Sequence, residues 1–217
     1  MKAATFVHPT ALIEEGVHLG AGSTVWDHVH IRKNAFIGDE CILGEKTYIA
    51  YDVRIGNRVK INAQVYICAG VSIEDGVMIS ARTVFTNDRF PRAATSDLQH
   101  LLPSEPDEHL GLTRVKAGAT IGAGCTIGND LSIGRFAMVG MGSVITHSVD
   151  DFHLVYGNPA RSRGAVCRCG VPLIRWSGDE APTSRKVACN RCGLQYHIAG
   201  MAVTEIERVE SGEPARR

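Results

Sequence analysis

The sequence predicts an all-β chain wound into a parallel β-helix of six to seven coils, with one long ejected loop and a small C-terminal module held by cysteines. Three observations predict it. Apolar residues recur with a period of six, the period is interrupted once without losing its phase, and four of the seven cysteines fall in two close pairs near the C-terminus.

From Val7 every sixth residue is apolar: Val7, Ile13, Leu19, Val25 and so on to Phe85. The same phase resumes at Val115, Ile121, Ile127, Ile133, Val139 and Ile145. A chain that is 44% hydrophobic does not give twenty such positions in one phase by chance. Four residues after nearly all of them sits a small or β-branched side chain, such as Val17, Ser23, Val29, Val53 or Ala119, with Gly-Asp, Gly-Asn, Glu-Asp and Gly-Ala turns between. A period of six fits neither a 3.6-residue helix nor a two-residue alternation. It fits a short strand plus a turn, three such units closing one triangular coil. The aliphatic residue then points inward and stacks on its equivalent in the next coil, as repeat architectures require. At about 4.8 Å per coil the prism is roughly 30 Å long.

Between Phe85 and Val115 the period disappears, and the segment holds Pro91, Pro103, Pro106 and several charges. Residues 86–114 therefore read as a loop ejected from one corner. Loops of this length are functional or disordered, and the intact phase beyond it favours a substrate loop. The β-helix so defined runs over 1–157. Residues 158–166 read as a linker, 167–207 as a zinc-ribbon-like module and 208–217 as a flexible tail.

In that module, Cys167-Arg168-Cys169-Gly170 and Cys189-Asn190-Arg191-Cys192-Gly193 give two pairs, each followed by glycine. Cys167, Cys169, Cys189 and Cys192 read as a tetrahedral four-thiolate zinc site, closed and structural. The first pair has one spacer residue instead of two; His197 is an alternative ligand, and a redox pair or free thiols are the alternatives to metal. About 35 residues with so few apolar side chains need such a staple, so chelation should unfold 165–200 and leave the prism. Cys41, Cys68 and Cys125 fall on corner or turn positions and read as structural.

Composition narrows the function classes. The charge balance is even, 23 basic against 23 acidic residues, which argues against a nucleic-acid partner. No apolar run reaches the roughly 18 residues of a membrane span. The start, Met1-Lys2-Ala3-Ala4-Thr5-Phe6, lacks the apolar stretch of a secretory signal. The expectation is a soluble, cytoplasmic protein.

Phe6-Val7-His8-Pro9-Thr10-Ala11, the turn series and Gly157-Asn158-Pro159-Ala160-Arg161 resemble the bacterial hexapeptide-repeat acyltransferases. Val59-Lys60-Ile61-Asn62, Gly70-Val71-Ser72-Ile73-Glu74-Asp75 and Val84-Phe85-Thr86-Asn87-Asp88-Arg89-Phe90-Pro91-Arg92-Ala93 are similar to nucleotide-sugar 3-N-acetyltransferases. These act on UDP-2-acetamido-3-amino-2,3-dideoxyglucuronate or dTDP-3-amino-dideoxyhexoses. The resemblance implies a left-handed helix, a homotrimer with sites between subunits, acetyl-CoA as co-substrate and a nucleotide sugar as acceptor. It implies Asn87 beside the reacting amine, and His30, Asn62, Gln64, Arg82, Pro91 and Arg92 on the sugar nucleotide. For the coenzyme it implies Gly122, Gly140, Met141, Gly142, Arg161 and Arg163. Each has a plainer reading: Asn87 as a turn residue at the loop mouth, His30 as a corner histidine, the arginines as solvated.

Two alternatives stay open: acyl transfer to another acceptor, an amino acid or a hydroxyl, and a non-catalytic scaffold. A carbonic anhydrase of this architecture would require two histidines five residues apart, and the nine histidines contain no such pair.

Overall fold

The computed structural model describes residues 4–103, 110–176 and 184–206. Short strands recur every six residues and stack into three parallel sheets. The first face runs from Phe6–Val7 through Thr24–Val25 and Ile42–Leu43 to Met138–Val139, and receives an eighth rung from His153–Gly157. The second face runs in seven rungs from Leu12–Ile13 to Val144–Ile145. The third runs in six from His18–Leu19 to Ser132–Ile133, and a bridge between Ile133 and Val149 closes a seventh coil. The all-β class expected from the period is what the chain adopts, the eighth rung carries the prism slightly past the six to seven coils expected, and no helix occurs among the described residues.

Each rung pairs with the one three hexads further along the chain, for example Lys60↔Met78 and Ile61↔Ile79. The second residue of each rung points inward. Val25, Ile31, Ile37, Leu43, Ile61 and Ile121 are fully buried in one continuous core. At the N-terminal end no rung among the described residues covers the first coil, and Val7 stays 39% exposed.

The corners make the period possible. At most corners the third residue after the inward aliphatic adopts a left-handed backbone whatever its type: His28, Asn34, Glu40, Lys46, Asp52, Arg58, Gln64 and Arg82 all have φ between 54° and 60°. From Asn34 on, the N–H of each of these residues donates to a carbonyl of the coil before, as Gln64 does to Glu45 O at 2.8 Å; that of His28 donates to Thr10 Oγ1. At the corner between third and first faces, side chains add a second ladder. Asp39 Oδ1 accepts from Ala21 N, Asn57 Oδ1 from Asp39 N, and Asp75 Oδ1 from Asn57 N, at 2.8 to 2.9 Å. These are the Gly-Asp, Gly-Asn and Glu-Asp turns of the sequence.

The loop leaves the corner between second and third faces. Across it the partner offset grows from three hexads, as in Lys60↔Met78, to seven, as in Met78↔Thr120. The insertion is therefore a whole number of hexads, and the phase survives. The neck is tied by the Asp88↔Leu110 bridge and by Gly111 N donating to Asn87 O. It passes so close to Gly70 (φ 83°) that a Cβ there would lie 2.7 Å from Gly111 O. The chain is back in register at Thr113–Val115, two residues before the expected end of the loop.

Residues expected to form a linker instead form strand Ala160–Val166, paired antiparallel to His153–Gly157 on one side and Pro172–Arg175 on the other. The alternating burial that ends in Gly164, Ala165 and Val166 carries this strand onto the first face. Beyond it, Arg185–Ala188, Gln195–Ala199 and Ala202–Ile206 make a three-stranded antiparallel sheet. This sheet shares a second core with the prism: Phe152 and Phe136 pack with Cys167, Cys189 and Tyr196. The expected tail, 208–217, lies outside the described residues.

A single truncation in the stack should be felt through several coils. Ile61→Ala is expected to lower stability by about 2 to 5 kcal/mol, whereas its outward neighbour Lys60→Ala should stay within about 0.5 kcal/mol. Denaturant melts of the two variants check this.

Candidate active-site edge and cysteine centre

The corner between first and second faces gathers most of the residues expected to bind substrate and coenzyme. Asn62 and Gln64 lie in one turn, Arg82 in the next coil, then Gly122, and finally Gly140, Met141 and Gly142. Arg82 Nε donates to Gln64 Oε1 at 3.4 Å, and both residues have φ of 60°. Gly122 is required by packing, since a Cβ there would lie 2.5 Å from Met141 N. Met141 itself is 82% exposed. The edge thus changes along its length, from amide and guanidinium side chains on the middle coils to bare backbone on the late coils.

Asn87 sits on the other edge of the second face, at the neck of the loop. Its carbonyl is taken up by Gly111, and its side chain is half-buried. Pro91 and Arg92 are exposed in the loop, where Arg92 Nη1 donates to Pro91 O at 2.8 Å. Arg89 pairs with Asp130 of the next coil. The structure therefore joins Asn62, Gln64, Arg82 and the glycines in one row and does not bring Asn87 to it within a single chain. Arg161 and Arg163 lie on strand Ala160–Val166, both exposed, rather than on a free exit segment.

His30 occupies the outward side of the second face in a cluster that spacing by six does not reveal. Glu14 Oε1 lies 2.8 Å from His30 Nε2 and 2.6 Å from Arg32 Nε, while Arg32 Nη1 donates to Tyr48 Oη at 2.8 Å. The His30 ring meets Tyr48 edge-on at 5.4 Å, and Tyr48 stacks on Tyr66 at 5.1 Å. Partial burial works to raise the Glu14 carboxyl. Hydrogen bonds from His30 and the Lys33 N–H, with the Arg32 charge, outweigh it and hold the group below the usual carboxylate range.

The third face carries a second unanticipated row. Arg54, Ser72 and Arg114 are direct cross-rung neighbours, and with Lys116 they line an open cleft of about 560 Å³. Reading the outward residues at intervals of one whole coil, rather than the inward ones at six, is the signal that finds both rows.

The four C-terminal cysteines converge. Their sulfurs all lie within 4.8 Å of one another, with Cys167 to Cys192 at 3.4 Å and Cys169 to Cys189 at 3.6 Å. Four thiolates around zinc at 2.3 Å would stand about 3.8 Å apart, so the donor set fits that ion. Each pair forms a tight turn, with Gly170 N donating to Cys167 O and Gly193 N to Cys189 O. N–H groups of Cys192 and Arg191 pull the Cys189 thiol down to about 6, whereas burial pushes Cys167 up to about 12. Cys41, Cys68 and Cys125 are buried in the prism, and burial raises each thiol, Cys68 to about 12. No helix among the described residues is long and apolar enough to cross a membrane.

A chain built of hexads around an aliphatic stack, with its coils interrupted only by whole hexads, is a hexapeptide-repeat protein. Residues 52–87 match the family model described as bacterial transferase hexapeptide (six repeats). The chain is 40% identical over 201 residues to a dTDP-3-amino-3,6-dideoxy-α-D-galactopyranose 3-N-acetyltransferase from Aneurinibacillus thermoaerophilus, covering 93% of this chain and 95% of that one. The chain belongs to the hexapeptide-repeat acyltransferases and, among them, to the nucleotide-sugar N-acetyltransferases. Among solved structures, the N-acyltransferase AntD from Bacillus cereus, in complex with dTDP and coenzyme A, is 22% identical, with 77% of this chain and 85% of that one covered and a TM-score of 0.48. A perosamine N-acetyltransferase from Caulobacter crescentus, in complex with CoA and GDP-perosamine, is 23% identical with a TM-score of 0.45. There the match covers 75% of this chain and spans 58% of the Caulobacter chain.

The Glu14 cluster makes a pH prediction. A carboxyl held low in the folded state contributes stability that is present above its unfolded value of about 4.3 and is lost as pH falls through the folded value. Glu14→Gln is therefore expected to be less stable than wild type at neutral pH. The gap should narrow as the pH is lowered below about 4, read from thermal melts across pH 3 to 7.

Proposed function

We propose that this protein transfers an acetyl group from acetyl-CoA to the 3-amino group of a dTDP-linked 3-amino-3,6-dideoxyhexose. The observation that carries the reading is the 40% identity, over nearly the whole of both chains, to an enzyme named for that reaction. The dTDP branch of the expected acceptors is preferred over the UDP-glucuronate branch for the same reason.

In the reaction the neutral sugar amine attacks the thioester carbonyl. The C–N bond forms to give a tetrahedral intermediate, which collapses as the C–S bond breaks, and the departing CoA thiolate takes the proton the amine loses. Asn87 orients the amine; His30, Asn62, Gln64, Arg82, Pro91 and Arg92 hold the sugar nucleotide. Gly122, Gly140, Met141, Gly142, Arg161 and Arg163 form the coenzyme track. Holding thioester and amine at attack distance supplies much of the rate, and a backbone N–H at the late coils can stabilise the oxyanion.

The site is completed by a second copy of the chain, in a homotrimer. Two observations support this. Asn87 and the glycine track lie on opposite edges of one face, so one chain cannot present both to the same substrate. Leu98, Leu101 and Leu112 in the loop are 80%, 84% and 69% exposed in the isolated chain, an apolar surface a neighbour would cover. The four cysteines bind a structural zinc, supported by their mutual distances. The protein works in the cytoplasm, where its thiols stay reduced.

A thiol-release assay with acetyl-CoA and a panel of dTDP- and UDP-3-amino sugars tests the reading. Turnover with a dTDP-3-amino-3,6-dideoxyhexose is expected; absence of both turnover and CoA binding would favour a scaffold. Asn87→Ala should cut kcat on the order of 10²-fold with an unchanged melting curve. Excising residues 88–111, which restores the three-hexad offset, should keep the β-helix by circular dichroism and abolish transfer.

A further inference from the structure

We propose that the cysteine ribbon is a wall of the acyl-donor site, and that His153 transmits the state of the four-thiolate centre to it. The proposal rests on the acyl-transfer reading above and, Arg161 apart, concerns residues that reading does not use. At the last coil a cleft of about 390 Å³ opens between the chain at 145–150 and strand Ala160–Val166. The polar groups at its rim are the hydroxyls of Thr146 and Ser148, the His147 imidazole, the Arg161 guanidinium and the Asp150 carboxylate. Hydroxyls, imidazole and guanidinium suit phosphates, and a carboxylate suits a ribose hydroxyl or an amino group. That is the chemistry of the nucleotide end of coenzyme A. One wall of this cleft is Met201, which belongs to the ribbon, at the turn between Gln195–Ala199 and Ala202–Ile206.

Met201 is held there by a buried histidine. His153 is 3% exposed; its Nε2 lies 2.7 Å from Met201 O and its Nδ1 2.8 Å from Ser162 Oγ. A carbonyl can only accept, so Nε2 carries a hydrogen and donates to it, while Nδ1 and the Ser162 hydroxyl share the second hydrogen bond. Trp176 closes the pocket of the ring edge-on at 4.9 Å. His153 thus ties together the last rung of the prism, the strand bearing Arg161, and the ribbon turn.

The same hairpin is anchored at its other end by the cysteines. Cys189 and Cys192 lie just before it, and Tyr196 within it is fully buried, its hydroxyl 3.1 Å from Cys167 Sγ and accepting from Arg168 N at 3.0 Å. Tyr196 packs edge-on against Phe152 of the prism at 5.5 Å. A metal that fixes the four sulfurs fixes this hairpin, and the hairpin fixes Met201. Because Phe152 and Phe136 share the core with Cys167 and Cys189, loss of the metal reaches the end of the prism and not the ribbon alone.

The test titrates CoA calorimetrically into the zinc-loaded full chain, the zinc-stripped chain and the variants His153→Leu and His153→Gln, with zinc content measured on each. Removing the metal is expected to weaken CoA binding about tenfold. His153→Leu should do the same with zinc still bound, raising KM for acetyl-CoA and leaving KM for the amino-sugar nucleotide unchanged. His153→Gln, which keeps a donor for Met201 O, should recover most of the affinity. In a Trp26→Phe background Trp176 is the sole tryptophan, and its emission should shift red on chelation and in His153→Leu. Met201→Ala, which leaves the hydrogen bond in place and removes only the wall, should weaken CoA about threefold and guards against misfolding of His153→Leu. Unchanged CoA affinity in zinc-bound His153→Leu and in Met201→Ala would overturn the proposal while leaving acyl transfer standing. A zinc-loaded wild type that binds no CoA would overturn both.

Discussion

A side chain directed into the axis of this prism must stack on its equivalents in the coils above and below. That constraint fixes nearly everything else. Ile31 on Ile49 and Ile61 on Ile79 bury completely only because the backbone ladders hold the coils in strict register. The ladders persist only because each aliphatic removes its coil from water. Neither can be relaxed locally, since a shift of one residue would turn every inward side chain outward. The loop is tolerated for the same reason it is visible: it adds whole hexads, so the strands on either side of it still meet in phase.

The corners show how much local cost the stack overrides. Left-handed backbone is disfavoured for bulky side chains, yet Glu40, Lys46, Arg58, Gln64 and Arg82 all adopt it. Each such residue gains an inter-coil hydrogen bond through its N–H, and the stacked core determines the turn from both sides. The consequence is functional. At these positions the side chain is free of any packing duty and projects from an edge of fixed geometry, which is where Gln64 and Arg82 stand. A rigid edge that can carry almost any polar residue is a scaffold on which acceptor specificity can change while the fold does not.

The inward positions are legible in the sequence because they obey one period and one chemistry. The cysteine pairs are legible because two short spacings with trailing glycines have few other uses. The cluster of Glu14, His30, Arg32 and Tyr48 is not, since its members sit on successive coils and touch only once the coil length is known. The row of Arg54, Ser72 and Arg114 is hidden further by the loop, which stretches its second interval from three hexads to seven. Residues 158–166 read as a linker because Gly157 and Pro159 signal a break. That signal is correct for a hairpin turn and wrong for the seven-residue strand that follows it.

That strand changes how the two ends of the solenoid compare. At the N-terminal end the described chain leaves Phe6, Val7 and Leu12 exposed at 46%, 39% and 56%. At the C-terminal end Phe152, Leu154 and Val155 are buried, because the chain turns back on itself and covers the last rung with Ala160–Val166 and the ribbon. A module that merely trailed from the prism would leave those side chains in water and would require only its own sulfurs to hold it. Here a hydrogen bond from a buried histidine to Met201 O and an aromatic contact with Tyr196 weld it to the coil that borders the candidate coenzyme cleft. Covering a solenoid end with a sheet gathered at a four-cysteine cluster, rather than with a polar terminal coil, would give a metal bound there, as proposed above, mechanical control over that end of the prism.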